Sequence, residues 1–454
     1  MNKSFKTWLH PFQFRDKGFL PTKRFLVLIG FLVLPLLLAS YWNKGWLFFV
    51  VINSVVILLS LIDLFMLPKT NQINCERKMP DKAERGVSFK VQLTIHNDHQ
   101  GRFPIYFKVI DHLLPSFLRP FPLLGKQEEG KPLTLTYHSM GSVRGNYQVD
   151  KIYIRYGSSL GLWEKQTYVH FPQQIRVIPD LSGVRGFISS TPEMLLLQGV
   201  KPRKYQAGFG EFSLIRNYAV GDDPRKINWR ATARRAEIMT NMYEPEHGKQ
   251  VTLLLDCGRT MGVELRKSNR LEKSMEAMLT VAAMALQQGD YVSVMAFSDE
   301  IHAYIPPGQG LSHLQRIVEG VYAIQARLVE SNFAKAFQYL ETIQKKRSLI
   351  MLFSDLDHFL LEDTLLPILH PIRKRHFFLL IGIEDPMVRN WLRKDITDST
   401  TAMVKTMAEG QLLKRKKQVD KWRQYGLQAI EAREENLVSI AVERYFEVIN
   451  RGVL

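Results

Sequence analysis

Cysteine is nearly absent: Cys75 and Cys257 are the only two in 454 residues, and neither belongs to a CxxC pair or a Cys/His cluster. That scarcity excludes a disulfide framework and a structural zinc site, and it fits a reducing compartment. No Walker A sequence exists, and the Gly208-Phe209-Gly210 triplet lacks GxGxxG spacing, so no nucleotide-binding loop is expected. No nucleophile and base stand at recognisable spacing, and no His pair offers metal ligands, which argues against an enzyme such as a metal-dependent hydrolase. Acidic residues are also outnumbered, 44 Asp and Glu against 61 Lys and Arg, for a net charge of +17. An excess of that size raises nucleic acid as a partner. The apolar residues, however, pile up before residue 68, and basic residues flanking membrane spans explain the same charge. The lipid bilayer, with no nucleic acid, is therefore the expected partner.

At roughly 150 residues per domain the length suggests about three units. The first, residues 1–68, is a cytoplasmic tail and a transmembrane helical hairpin. Residues 25–42 (FLVLIGFLVLPLLLASYW) carry no charge and residues 46–67 (WLFFVVINSVVILLSLIDLFML) carry only Asp63, with Asn43, Lys44 and Gly45 between them. Each run can span, since about 20 residues at 1.5 Å cover roughly 30 Å of hydrocarbon. A cleaved signal peptide fits poorly, because the first run is too long and a second follows at once. Lys3, Lys6, Arg15, Lys17, Lys23 and Arg24 before the hairpin, and Lys69, Arg77, Lys78 and Lys82 after it, place both termini in the cytoplasm. Trp42 and Trp46 mark the far interface. Pro35 is tolerated in such a helix, and Asp63, one turn from the cytoplasmic end, is expected to reach water rather than serve transport.

Residues 69–180 alternate apolar and polar side chains at Val87–Ile95, Ile105–Val109 and Tyr147–Ile154, with turn-prone clusters at Asn97–Gly101, Gly141-Ser142 and Gly157–Ser159. Period two means half-buried strands, hence a small all-β sandwich-like domain acting as spacer or protein-binding module.

Residues 181–246 form a linker holding a dense Arg, Asp and aromatic motif: Tyr218, Gly221, Asp222, Asp223, Arg225, Trp229 and Arg234 stand within RNYAVGDDPRKINWRATARR. Asp223-Pro224 is a helix-start signal, and a short helix through Trp229 to about Arg235 is expected. Arg216, Arg225, Arg230, Arg234 and Arg235 either form an anion site or pair with Glu211, Asp222, Asp223 and Glu237 in a buried clasp around Tyr218 and Trp229. The near-balance of charge beside aromatics favours the clasp.

From 247 to 454, near-continuous apolar strands at 251–256, 291–297, 348–354, 376–383 and 427–431 alternate with helices near 271–288, 311–324, 333–345, 364–373, 401–425 and 437–450. That pattern is a parallel sheet covered on both faces, with its ligand site beyond the carboxyl strand ends. Asp256 (VTLLLDCGRTM) and Asp355 (LIMLFSDLD) end two of the strands. Here the domain resembles a von Willebrand factor A domain, of Rossmann type. With the motif upstream, the whole chain resembles the bacterial family called domain of unknown function 58.

The resemblance implies a metal-ion-dependent adhesion site, degenerate in this chain. Asp256 and Asp355 match its carboxylates, Thr260 and Ser331 match hydroxyls, and Gly258 replaces a serine and supplies no oxygen. Mg²⁺ is the implied cofactor, with no nucleotide; the alternative is that both carboxylates accept loop amides and stabilise the fold. Asp357 and His358 lie beside them. The resemblance further implies a non-enzymatic protein-interaction module, anchored in the bacterial inner membrane and partnered by a MoxR-type AAA+ ATPase in assembly or maturation of envelope or metalloprotein complexes. A structural envelope scaffold is the alternative.

Overall fold

In a computed structural model, which describes residues 17–39, 45–97, 105–120, 122–127, 131–157, 160–189, 211–219, 222–244, 248–266, 268–360 and 362–451, the N-terminal apolar runs form α1 (Lys23–Ala39) and α2 (Gly45–Phe65). Asn43, Lys44, Trp42 and the end of the first run lie outside the described residues. One described stretch, Phe49–Gln72, is long and apolar enough to cross a membrane. It takes in most of α2 and the turn after it; the regular helix itself ends at Phe65. The described part of α1, at 17 residues, is shorter than a span. Both helices expose apolar side chains, among them Leu26, Phe31, Phe49, Val55 and Leu58, a surface that water does not favour.

Two compact units divide the chain after Ile178. In the first, strands β1 (Gly18–Pro21), β2 (Ile73–Lys78), β3 (Lys82–Glu84), β4 (Ser88–Asn97), β5 (Ile105–Asp111), β6 (Leu123–Gln127), β7 (Leu133–Met140), β8 (Gly145–Gly157) and β9 (Trp163–Ile178) make two sheets. Their orders are β1-β9-β8-β5-β6, with β3 also on β9, and β2-β4-β7. Inward residues of both sheets, including Val91, Leu93, Phe107, Ile154 and Val177, share one core. A buried charge pair links the sheets. Arg77 Nε and Nη2 donate to Asp111 at 2.9 and 2.5 Å, Tyr137 donates to the same carboxylate at 2.6 Å, and Arg77 Nη1 reaches the Val149 carbonyl at 2.9 Å. Every lone pair so used repays part of the desolvation, and removing either partner would strand a buried charge.

Asp63 does not reach water, contrary to expectation: it is fully buried. Its carboxylate accepts the backbone N–H groups of Leu160, Leu162 and Trp163 at 3.0–3.1 Å. Trp163 Nε1 donates to Ser60 at 2.8 Å and Tyr156 donates to the Pro68 carbonyl at 2.9 Å. Thr22, just before α1, donates to the Gly161 carbonyl at 2.5 Å. The turn at 160–163 thus holds the ends of both apolar helices against the sandwich.

The second unit carries a small two-stranded sheet and a large α/β sheet. The small sheet is β10 (Glu211–Asn217) and β11 (Met239–Glu244), antiparallel, with α3 (Ser182–Ser189) before it and α4 (Trp229–Arg235) between its strands. The large sheet comprises β12 (Gln250–Asp256), β13 (Tyr291–Phe297), β14 (Ile301–Gly308), β15 (Ser348–Phe353), β16 (Phe377–Ile383) and β17 (Gln428–Ala432), in the order β14-β13-β12-β15-β16-β17. All neighbours are parallel except the edge strand β14. The helices are α5 (Arg270–Gln287), α6 (Leu311–Val321), α7 (Phe333–Ile343), α8 (Leu356–Leu360), α9 (Leu366–Arg375), α10 (Pro386–Arg393), α11 (Ser399–Gln424) and α12 (Leu437–Asn450).

Alternate strand residues Leu254, Met295, Ile350, Leu352 and Leu380 pack with Phe333, Phe337, Phe359 and Trp422 on one face of that sheet. Helix α5, buried from Leu271 to Leu286 at most positions, belongs to the other face with α12. Both faces are dry, which is why these strands read as unbroken apolar runs.

Candidate functional site at the carboxyl edge of the parallel sheet

Strands β12 and β15 are adjacent and parallel, so their carboxyl ends bring Asp256 and the Ser354-Asp355 pair to one edge. Asp256 is fully buried. One carboxylate oxygen accepts the Ser331 hydroxyl and the Gly258 amide at 2.9 Å; the other accepts the Ser354 hydroxyl at 2.5 Å. Burial pushes its carboxyl above the usual range, against the opposing pull of those three hydrogen bonds. Asp355 accepts Arg270 Nη1 at 2.6 Å and the Asp357 amide at 3.1 Å. The Arg270 guanidinium, itself buried, also faces Asp385 at 3.8 Å.

Gly258 has an ordinary φ of −75°, so its smallness is not a matter of backbone strain. A Cβ there would come to 2.0 Å from Ser331 Oγ. The serine hydroxyl that the adhesion-site pattern would place at 258 is replaced in space by the hydroxyl of Ser331. Thr260 sits in a 3-10 turn, Arg259–Gly262, and donates to neither carboxylate. Of the five positions weighed from sequence, then, Asp256 and Ser331 meet directly, Asp355 is held by an arginine, and Thr260 stands apart.

This donor set does not fit a divalent cation as it stands. Mg²⁺ needs near-octahedral oxygen ligands with free lone pairs. Here Asp256 is occupied by hydroxyl and amide donors, and Asp355 already has a cationic partner in Arg270. Among the described residues, no group of three or more His, Cys, Asp or Glu could hold a metal. His358 is paired too, its Nε2 lying 2.9 Å from Glu330, which also accepts Arg259 Nε at 2.5 Å.

Two residues central to this edge, Arg270 and Ser354, were not singled out from sequence. Arg270 carried a signal: it is the first residue of α5, capped by Asn269, where a cation opposes the helix dipole. A basic residue at that place calls for a carboxylate nearby.

Farther along the same edge, beyond β16 and β17, a cleft of ≈ 360 Å³ lies between α10 and α11. Arg415 contacts Asp357 at 2.8 Å and Glu431 at 2.7 Å, while Arg389 donates to Glu384 at 3.0 Å. Burial pushes the Glu431 carboxyl up to about 7, outweighing Arg415.

The arginine-rich motif is arranged otherwise than expected. Tyr218 donates to the Asp222 carbonyl at 3.0 Å, and Arg216 donates to the Asp222 carboxylate at 2.7 Å. The Ala219 amide, at 2.9 Å, is the main influence holding that carboxyl below its usual range, with Arg216 adding to it. Asp223 caps only a 3-10 turn, Pro224–Lys226, and α4 starts afresh from an Asn228 cap. Trp229 is not the centre of a buried clasp. It is 71% exposed, and Arg225, Arg230, Arg234 and Arg235 are exposed as well. Gly221 lies outside the described residues.

By fold and site, then, the second unit is an α/β domain with an internally satisfied carboxylate edge and a motif-bearing hairpin before it. Residues 214–415 match the family described as "Protein of unknown function DUF58". It is 23% identical over 219 residues to "Uncharacterized protein YeaD" of Bacillus subtilis (strain 168). That match covers 47% of this chain and about half (54%) of the relative. Among solved structures, the conserved hypothetical protein BatB from Bacteroides thetaiotaomicron shows 11% identity and a TM-score of 0.31, over 45% of this chain and 100% of that one. An uncharacterized membrane spanning protein from Vibrio fischeri shows 12% identity and a TM-score of 0.16, over 46% and 100%. At such scores neither carries an argument about fold or function.

Proposed function

We propose that this protein is a membrane-tethered, non-enzymatic protein-interaction module whose α/β domain, of von Willebrand factor A type, docks a partner without a divalent cation. The observation that carries the reading is the saturation of Asp256 and Asp355 by Ser331, Ser354, Gly258, Arg270 and Asp357. Carboxylates engaged in this way hold loops in place, and a fixed loop surface serves recognition. The two apolar helices form a hairpin in a bacterial inner membrane, with both termini cytoplasmic, as the flanking basic residues favour. A MoxR-type AAA+ ATPase, the partner that the resemblance to the domain of unknown function 58 family implies, is the proposed partner in assembly or maturation of envelope or metalloprotein complexes.

The test is co-purification from detergent with and without Mg²⁺, for wild type and Asp256→Ala. The reading expects a AAA+ ATPase with wild type in both conditions; recovery only with Mg²⁺ would sink the metal-free version. Envelope structural proteins alone would favour a scaffold. A reporter fused after Leu454 should be cytoplasmic, and periplasmic activity would overturn the topology.

A further inference from the structure

The stretch from Pro224 to Ala236 contains Arg225, Lys226, Arg230, Arg234 and Arg235 and no acidic residue. The acids that flank it are in use: Asp223 caps the 3-10 turn and Glu237 accepts Asn217 Nδ2 at 3.0 Å. Among the described residues, the side chains of Arg225, Arg230, Arg234 and Arg235 form no ion pair or hydrogen bond, and all four are exposed. At 3.6 residues per turn, Trp229, Arg230, Ala233 and Arg234 fall within an arc of about 140° on α4. The helix is pinned from the other side: Thr232 donates to the Asn228 carbonyl and accepts the Met239 amide at 3.0 Å, and Asn228 donates to Asn241 at 2.8 Å. The aromatic and its arginines are thus held outward by a fixed scaffold.

Resting on the interaction-module reading, we infer that this face of α4 is a docking surface for a carboxylate-rich segment of a partner protein. Four arginines to one lysine is the composition for forked, side-on recognition of carboxylates, whereas a diffuse anionic bilayer is served equally well by lysine. An exposed tryptophan sharing a helix face with arginines matches the residue types that carry most of the energy at protein interfaces. The expected contact places an apolar or aromatic partner side chain on Trp229, with Glu or Asp to one side of it facing Arg230 and Arg234.

The full chain in phosphatidylcholine nanodiscs, where no anionic lipid competes, is titrated with a fluorescent Glu-rich peptide containing one Leu and one Tyr. Binding should weaken about tenfold for each of Trp229→Ala, Arg230→Ala and Arg234→Ala, a loss of ~1.4 kcal/mol apiece. Arg230→Glu/Arg234→Glu should lose the peptide and gain a Lys-rich one, with an unchanged melting curve because both side chains are solvent-exposed. Equal binding by the double variant, no binding by wild type, or a preference for phosphatidylglycerol nanodiscs or a short oligonucleotide would each overturn the assignment. Co-purification of the AAA+ ATPase that survives the double variant would refute this surface while leaving the interaction-module reading standing.

Discussion

Gly258→Ser would put a side chain where Ser331 already stands. The added Cβ would lie 2.0 Å from Ser331 Oγ, 3.1 Å from the Val329 carbonyl and 3.3 Å from Asp256 Oδ1. Relief requires Ser331 to move, which breaks its hydrogen bond to Asp256. Overpacking of a tight site costs about 1–3 kcal/mol, and a lost hydrogen bond to a charged group costs about 1.5–3. A total of about 2.5–6 kcal/mol lowers the melting temperature by roughly 5–24 °C in a unit of this size. Thermal unfolding of the solubilised protein, followed by near-UV circular dichroism with and without excess Mg²⁺, measures it. In a Ser331→Gly background the same substitution should cost far less, because the new hydroxyl replaces the lost donor to Asp256. The expected coupling is about 1–3 kcal/mol. Additive costs, or a Gly258→Ser protein that Mg²⁺ stabilises above wild type, would refute the reasoning, the latter by showing that position 258 has room to serve as a ligand.

Arg270→Met should destabilise by about 3–5 kcal/mol in denaturant titration, because it leaves the buried Asp355 carboxylate without its guanidinium; Arg270→Met/Asp355→Asn should recover much of that. Asp63→Ala should cost about 3 kcal/mol or more, since three backbone amides lose a charged acceptor, and limited proteolysis should then cut near residues 160–163. Between pH 4.5 and about 7 the folded protein retains a proton on Glu431 that the unfolded chain has released, so stability falls as pH rises through that window. The full swing is about 3 kcal/mol, and Glu431→Gln should remove that component of the slope in unfolding midpoints measured across the range.

The parallel sheet was legible because its strands are buried on both faces and made of Val, Leu, Ile and Phe. All five strands read from sequence are present, each end within one residue of the reading. Strand β14 was missed for the converse reason: IHAYIPPG is a half-exposed edge strand ending in Pro306-Pro307, where the missing amides do no harm. Helix α10 begins at Asp385-Pro386, the same start signal that raised the expectation of a helix at Asp223-Pro224. At 223 it yielded a single 3-10 turn, because Asn228 offered a second cap five residues on. The carboxylates at the strand ends were visible as a spacing, but their partners were not. Ser331 and Ser354 lie 75 and 98 residues from Asp256, and Arg270 lies 85 from Asp355. Charge balance alone suggested a buried clasp at Trp229; only the cap at Asn228 and the Thr232 bond decide which side of α4 faces inward.

The burial of Asp63 makes α2 and the sandwich one mechanical piece. A helix followed by a loose linker would let the bilayer thin, thicken or curve without consequence for what hangs below it. Here three amides of one turn grip a carboxylate on the helix, while Trp163 grips Ser60 a turn earlier. Membrane helices answer a change in hydrocarbon thickness by altering their tilt. With the joint locked in this way, and α2 placed in the bilayer as proposed, a tilt of α2 would become an equal rotation of the whole sandwich, as a lever carries a displacement.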